Sequence, residues 1–280
     1  MASELTLANV SGHYSRGVLR ERLRASLAED GVDPVQPSLE ALAPYDHFHG
    51  RGLEATVEIA DALAIRTGDH ILDVGSGLGG PARYFANRFG CRVTGIDLTA
   101  EFCDLARELT RATGLAAKVG IVDGDALAMP FPDAAFDGAY SMNVSMNIAD
   151  KAALYREIHR VLKPGGWLML SEIAKGVGAD PDFPVPWAAS AETSFLASQE
   201  GTRRGLEAAG FDVVQVRSTR EQALASYARA RAMVDRGEKP PHRAVALIHG
   251  QIARTVMANT VRAFADGRLD PIEVLATRRR

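Results

Sequence analysis

The stretch that decides the fold is Leu72–Phe85, LDVGSGLGGPARYF. Four glycines (Gly75, Gly77, Gly79 and Gly80) follow an apolar run directly, and Asp73 stands two positions ahead of the first. Glycine weakens helices and strands alike, so this cluster marks a place where the backbone must turn sharply or come close to another group. A proline and the run PARYFANRF then open a predicted helix.

Outward from that stretch, strand and helix signals alternate. Leu53, Val57, Ala60 and Leu63 fall on one helical face, which Thr67 and Gly68 are expected to stop, and HILDV reads as the first strand. RVTGID is the second strand, and Phe102, Leu105, Leu109 and Ala112 stripe the next helix as far as Gly114. KVGIV and FDGAYSM follow as strands. A helix marked by Leu154, Ile158 and Val161, capped by Asp150 and closed by KPGG, leads to a fifth strand, WLMLSEI. Buried strands alternating with amphipathic helices imply an α/β fold: a parallel sheet with helices on both faces. In such sheets ligands bind beyond the carboxyl ends of the strands, where the winding reverses.

The remaining segments are read as additions to the sheet. A helix is predicted near Val18–Ala28, followed by a proline-containing connection that ends in APYDHFHGRG. A helix near Gly201–Ala209 precedes FDVVQV, and two further helical patterns precede a last strand, PIEVLAT. We therefore expect an N-terminal helical lid over 1–51 and a catalytic domain over 52–280, with lid insertions near 176–198 and 218–271.

Composition narrows the function. With 46% hydrophobic and 24% charged residues the chain can fill a core, and a net charge of -3 argues against a general nucleic-acid surface. No apolar run approaches the roughly 20 residues that cross a bilayer, and MASELTLANVSGHY lacks the pattern of a secretory signal. The two cysteines, Cys91 and Cys103, have neither metal-ligand spacing nor a disulfide framework, so a cytoplasmic protein without a metal is expected. A homo-oligomer is left open.

Gly75, Gly77 and Gly80 match G-x-G-x-x-G, and Asp97 at the end of the second strand is placed to accept ribose hydroxyls. These features alone describe any nucleoside-containing ligand, including a nicotinamide dinucleotide. Asp73 separates the readings. A diphosphate is held by backbone N–H groups and a helix N-terminus, and an added carboxylate opposes it. A ligand carrying an ammonium and a sulfonium is favoured instead, which describes S-adenosylmethionine. Asp125 can accept from the adenine amine beside the Ala126 N–H, or it can simply cap its turn. Ser76, Leu98, Gly124, Ser141 and Asn143 complete the expected cofactor set.

These motifs resemble the class I S-adenosylmethionine-dependent methyltransferases. LDVGSGLGG is similar to their first motif, TGIDLT to the acidic ribose loop, DGDALAMPFPDAAFD to the adenine segment and VLKPGG to the turn before the fifth strand. The resemblance implies a Rossmann-like, mostly parallel seven-stranded sheet whose last strand inserts antiparallel beside the fifth. DHFHGRG, SMNVSMNIADKAALYREIHRVLKPGG and FPVPWAASAETSFL further resemble bacterial sarcosine/dimethylglycine-type small-molecule methyltransferases, a group that shades into terpenoid and quinone C-methyltransferases. One departure is Met142-Asn143, where that type often carries Gln-His; a neutral carboxamide cannot act as a base.

The expected activity is methyl transfer to a small-molecule acceptor. Methyl transfer is an in-line displacement that chiefly needs proximity, alignment and a dry site. His47 and His49 are the candidate bases, since imidazole titrates near neutrality, although both could be linker or capping residues. Asn143 is expected beside the transferred methyl and Tyr14 in the acceptor pocket. Glu172 faces the same edge. Phe183, Trp187 and Phe195 sit where a lid would, able to surround an ammonium or pack an apolar acceptor. Two other readings stay open: an NAD(P)-dependent oxidoreductase, and a catalytically silent cofactor-binding protein.

Overall fold

The computed structural model describes residues 18–280, so the candidate Tyr14 lies outside the described residues. Its strands are β1 (His70–Val74), β2 (Arg92–Asp97), β3 (Val119–Asp123), β4 (Phe136–Met142), β5 (Leu162–Lys175), β6 (Phe211–Ser218) and β7 (Leu269–Arg278). They form one seven-stranded sheet in the order β3-β2-β1-β4-β5-β7-β6. The first five run parallel, and β7 inserts antiparallel between β5 and β6. This is the Rossmann-like methyltransferase sheet expected from the motifs.

The helices are α1 (Leu19–Glu29), α2 (Leu39–Asp46), α3 (Leu53–Ala62), α4 (Gly80–Phe89), α5 (Ala100–Ala112), α6 (Lys151–Val161), α7 (Gln199–Ala208), α8 (Arg220–Asp235), α9 (Ala244–His249) and α10 (Ala253–Ala265). Successive residues of a strand point to opposite faces, so a strand apolar throughout must be covered twice. In β1, Ile71 packs with Ile59, Phe85 and Cys103 from α3, α4 and α5. Its neighbours Leu72 and Val74 join Leu154, Ile158 and Leu206 from α6 and α7 on the other side. The chain winds outward from β1 to β2 and β3, then returns to β4 and β5. The crevice between β1 and β4 is the point of reversal.

Four boundaries differ from the sequence expectation. The proline-containing connection folds as α2 with Pro44 inside it, because Ser38 caps Ala41 N–H at 3.2 Å and Leu42, Ala43 and Tyr45 are buried. The helix before β1 stops at Ala62, since Leu63 is already extended (φ -109°, ψ 136°). KPGG lies within β5, which starts at Leu162 and shifts register against β4 between Phe136 and Gly138. Between β6 and β7 the two expected helical patterns become three helices.

A separate apolar cluster joins the segment before β1 to the late helices: Leu23, Leu42, Leu78, Phe102, Leu109 and Leu247 belong to it. Its polar pin is the pair Asp46–Arg83, both side chains almost fully buried, with 2.8 Å between Oδ2 and the guanidinium. Arg83 also donates to the Leu78 carbonyl at 2.7 Å and to Thr110 at 3.1 Å. Burial works against the charge on Asp46, yet His47 and Arg83 together hold its carboxyl below the usual range. A Cβ at Gly80 would lie 2.5 Å from the Asp46 carbonyl oxygen, so the glycine lets α2 close on the start of α4. Replacing Arg83 by Met leaves the buried Asp46 without its cation. Urea unfolding is expected to show a loss of about 3–5 kcal/mol, whereas a surface pair would cost about 1 kcal/mol or less.

Candidate active site

Beyond β1 the backbone enters the glycine run with Gly75 at φ 76°. A Cβ there would sit 2.3 Å from Val144 Cγ2, so no larger residue fits. The Gly75 and Ser76 N–H groups both donate to the Ile96 carbonyl, at 2.8 and 3.0 Å. Gly77 N–H donates to Asp97 Oδ2 at 2.8 Å, and Thr99 N–H donates to Asp97 Oδ1 at 2.9 Å. Three consecutive amides of the turn are thus spent on the end of β2.

That geometry separates the two nucleotide readings. A diphosphate cradle needs free N–H groups around a helix N-terminus. Here Asp46 already lies against Gly80 at the start of α4, and Asp73 lies buried beneath the turn. Asp73 Oδ2 has no hydrogen-bond partner among the described residues, and burial pushes its carboxyl up to about 7. Asp73 and the spent amides oppose an anion and favour a ligand bearing positive charge.

A cavity of about 500 Å³ opens over the turn. Gly75, Gly77, Asp97, Leu98, Gly124, Asp125, Ala126 and Asn143 line it, all of them expected from sequence. Each Asp97 oxygen takes one backbone N–H and keeps a lone pair for a further donor, as neighbouring ribose hydroxyls require. Asp125 Oδ1 accepts from Leu127 N–H at 2.8 Å, so the turn-capping role is real, and the residue lines the cavity as well. Asp73, Ser76 and Ser141 are buried and lie outside the lining.

The candidate bases need correction. His47 and His49 are each 3% exposed and line neither cavity described here. His47 Nδ1 lies 2.7 Å from Asp46 Oδ1, and His49 Nε2 lies 2.9 Å from Thr56 Oγ1. Burial holds His49 well below its ordinary value. The residue between them, Phe48, enters the cavity instead. Its ring lies 3.3 Å from where a Gly77 Cβ would stand and meets Phe102 edge-on at 5.3 Å. The segment singled out from sequence thus reaches the cavity through Phe48, while its two histidines are buried against Asp46 and Thr56.

Asn143 stands at the junction of the main cavity with a smaller inner one of about 50 Å³. It is left-handed at φ 58°, with its N–H held by the Ser171 carbonyl at 2.7 Å, a conformation asparagine tolerates better than most residues. Tyr227 and His242 also line the inner cavity, whereas Glu172 of β5 turns its carboxylate to the α6 side of the sheet, toward Ser145. The Tyr227 hydroxyl and Asn143 Nδ2 converge on Gly50, 3.6 and 4.0 Å from a Cβ placed there. His242 donates from Nε2 to the His47 carbonyl at 2.9 Å, and burial pulls it down to about 4, so the neutral ring keeps its lone pair on Nδ1. Glu172 is 3% exposed and accepts Ser145 N–H, 3.1 Å from one oxygen and 3.3 Å from the other. Burial pushes its carboxyl up to about 7.

Comparison with known proteins agrees with this geometry. A family model described as a methyltransferase domain matches residues 72–170, beginning at the leucine that opens the glycine stretch. The chain is 34% identical over 176 residues to phosphoethanolamine N-methyltransferase 1 of Arabidopsis thaliana, covering 61% of this chain and 34% of that protein. It spans about a third of the length of such curated relatives. Among solved structures, phosphoethanolamine N-methyltransferase 2 of Haemonchus contortus, in complex with phosphomonomethylethanolamine and S-adenosylhomocysteine, aligns with a TM-score of 0.71 at 20% identity. That alignment covers 95% of this chain and 61% of the other. The [4+2]-cyclase SpnF aligns with a TM-score of 0.67 at 23% identity, covering 92% and 93%. At these identities the two structures share the fold.

Of the cavity walls, the edge at the glycine turn was expected from sequence, but the far wall was not. Val245, Ile248 and His249 of α9 complete the main cavity, and Tyr227 and His242 the inner one. They come from the region between β6 and β7, where no local motif marks them. Asp73 gives the fold a measurable signature. Its ordinary value is 3.8, so between about 4 and 7 the folded state keeps a proton that the unfolded chain releases, and stability falls as pH rises through that window. Without ligand, Asp73→Asn, which cannot ionise, is expected to melt above wild type at pH 8, with the gap narrowing toward pH 5. Differential scanning calorimetry at both pH values checks this.

Proposed function

We propose that this chain transfers a methyl group from S-adenosylmethionine to a small-molecule acceptor. The observation that carries the reading is the buried Asp73, beside the Tyr140 hydroxyl and with no cation paired to it, beneath a glycine turn whose amides are already spent. In this reading Asp97 takes the ribose hydroxyls, Asp125 the adenine amine, and Asp73 the positive charge of the methionine end. When bound, the cofactor supplies an activated methyl on a sulfonium.

The protein's own part is to place and to exclude. Phe48 and Trp187 line both cavities and close water out between them, and Asn143 orients the acceptor at the junction. The segment before Gly52 and those near 176–198 and 218–271 act as the cover. Trp187 is fixed by Ser194 at 2.9 Å, and Phe195 N–H is held by the Met146 carbonyl at 2.8 Å, which ties the cover to the cavity wall. A cyclase on the same fold is a reminder that architecture alone does not assign chemistry; the site does.

Isothermal titration is expected to give binding of S-adenosylmethionine and none of NADH. Affinity should rise between pH 6 and pH 8 as Asp73 ionises. Asp97→Ala removes hydrogen bonds to a charged acceptor, worth about 1.5–3 kcal/mol, so binding should weaken about 10-fold or more. NADH binding in place of S-adenosylmethionine would refute the reading.

A further inference from the structure

Two polar side chains on the wall of the inner cavity are left without a protein partner. Tyr227 of α8 stacks its ring on Phe264 of α10, 6.1 Å between centroids, and packs among Trp187, Ala223 and Leu269. The ring is thereby fixed, and its hydroxyl stands at the inner cavity. Asn143 comes from another direction, at the end of β4, with its backbone held by the Ser171 carbonyl. Neither the Tyr227 hydroxyl nor the Asn143 carboxamide makes a hydrogen bond to a described residue.

Both groups converge on one place. A Cβ added to Gly50 would lie 3.6 Å from Tyr227 Oη and 4.0 Å from Asn143 Nδ2. Apart from Gly50 and its chain neighbours, no other described heavy atom comes within 4 Å of that point. A small open space therefore sits between the Gly50 backbone and two hydrogen-bonding groups from distant segments. The inner cavity, about 50 Å³, has room for a small group and not for a whole molecule. Asn143, Phe48 and Trp187 line both cavities, so the space communicates with the main one. There, beyond the residues assigned to the cofactor, the walls are apolar: Met146, Ile148, Val245 and Ile248.

The charges around this space are already balanced. Arg51, which lines the inner cavity, meets Glu58 at 2.7 Å, Glu273 at 3.5 Å and Glu54 at 3.9 Å. Arg217 takes Glu273 at 2.6 Å, and Arg229 takes Glu54 at 2.9 Å. Three arginines thus offset three glutamates. Burial keeps the His242 ring neutral, and Glu172 turns to Ser145 on the other side of the sheet. A guest of either charge would lose its water here and find no unspent counter-charge. A neutral oxygen fits instead. Burial pushes the Tyr227 hydroxyl up to about 12, so it stays a donor, and Asn143 Nδ2 is a second donor. A hydroxyl or carbonyl oxygen has a lone pair for each.

Resting on the methyl-transfer reading above, we propose that Tyr227 and Asn143 form the recognition subsite for the acceptor: they hold a neutral hydroxyl or carbonyl oxygen in the space over Gly50, while the apolar body of the acceptor lies in the main cavity. The substrate class is then an uncharged, largely apolar alcohol, phenol or ketone. Discrimination follows from the same two groups. An analogue without the oxygen leaves a hydroxyl and a carboxamide unpaired in a site closed to water, which is costlier than the loss of an apolar contact.

The test uses the full chain saturated with S-adenosylhomocysteine and probes that share one body and differ at a single carbon. These are 2-tetralol, 2-tetralone, tetralin, 2-aminotetralin and tetralin-2-carboxylate. Calorimetry should find the alcohol and the ketone bound about 10-fold or more tighter than tetralin, with the ammonium and the carboxylate weaker than either. Tyr227→Phe removes the hydroxyl and keeps the stacked ring. It should cut the preference for the oxygen compounds about 5-fold or more, with the affinities for tetralin and S-adenosylhomocysteine unchanged. Gly50→Ala alters neither polar group: its methyl meets both at ordinary contact distance, on a backbone that is not left-handed, and occupies the space. It should weaken the alcohol and the ketone in the same selective way. Equal affinity for tetralin and its oxygen derivatives, a charged probe binding best, or no binding by any probe overturns the proposal. So does an undiminished preference in folded Tyr227→Phe or Gly50→Ala protein. Failure of S-adenosylhomocysteine and S-adenosylmethionine to bind at all is a separate result and strikes the methyl-transfer reading itself.

Discussion

The site depends on the union of the glycine turn with the end of β2. Ile96 offers one carbonyl to two amides, and Asp97 offers one carboxylate oxygen to a third. Those three bonds make the turn tight enough for Val144 to close over Gly75, and they remove the donors that a diphosphate would need. With the Thr99 N–H on the other oxygen, Asp97 is held by both its oxygens, so its carboxylate is oriented where it lines the cavity. Preorganisation of this kind lowers the ordering cost of binding.

The opposite wall is built by another method. The turn from Val144 to Asp150 lines the main cavity and has little regular structure of its own. Glu172 takes its Ser145 N–H, Lys151 takes two of its carbonyls, and Phe195 N–H takes a third at Met146. A buried carboxyl and a half-buried ammonium thus bracket a loop that neither belongs to. Burial moves both toward neutrality, Glu172 up to about 7 and Lys151 down to about 8, so the bracket holds at the pH where either group can exchange a proton.

The cover is coupled to the floor through the segment before β1. Asp46 reaches Arg83 on α4, the His47 carbonyl receives His242, and the Pro44 carbonyl receives Arg243 N–H at 2.7 Å. A single short stretch therefore touches the glycine-turn helix, the late helices and both cavities. Two histidines that invite a catalytic reading belong to this framework. Phe48 between them does the covering.

Local chemistry made much of this protein readable from its residues alone. The apolar strands, the amphipathic helices between them, the glycine turn, Asp73, Asp97 and Asp125 each carry a signal within a few residues, because strand alternation, turn formation and the capping of strand ends are short-range events. The antiparallel seventh strand was reachable too, through a resemblance carried by those same motifs. The direction in which Phe48, His47 and His49 point was not readable, nor was the gathering of Tyr227 and His242 beside Asn143. These side chains come from segments separated by scores of positions, and their company is set by packing among α2, α8, α9 and the sheet edge. Only the folded chain brings them within reach of one another, since burial and proximity, not residue type, give each its role.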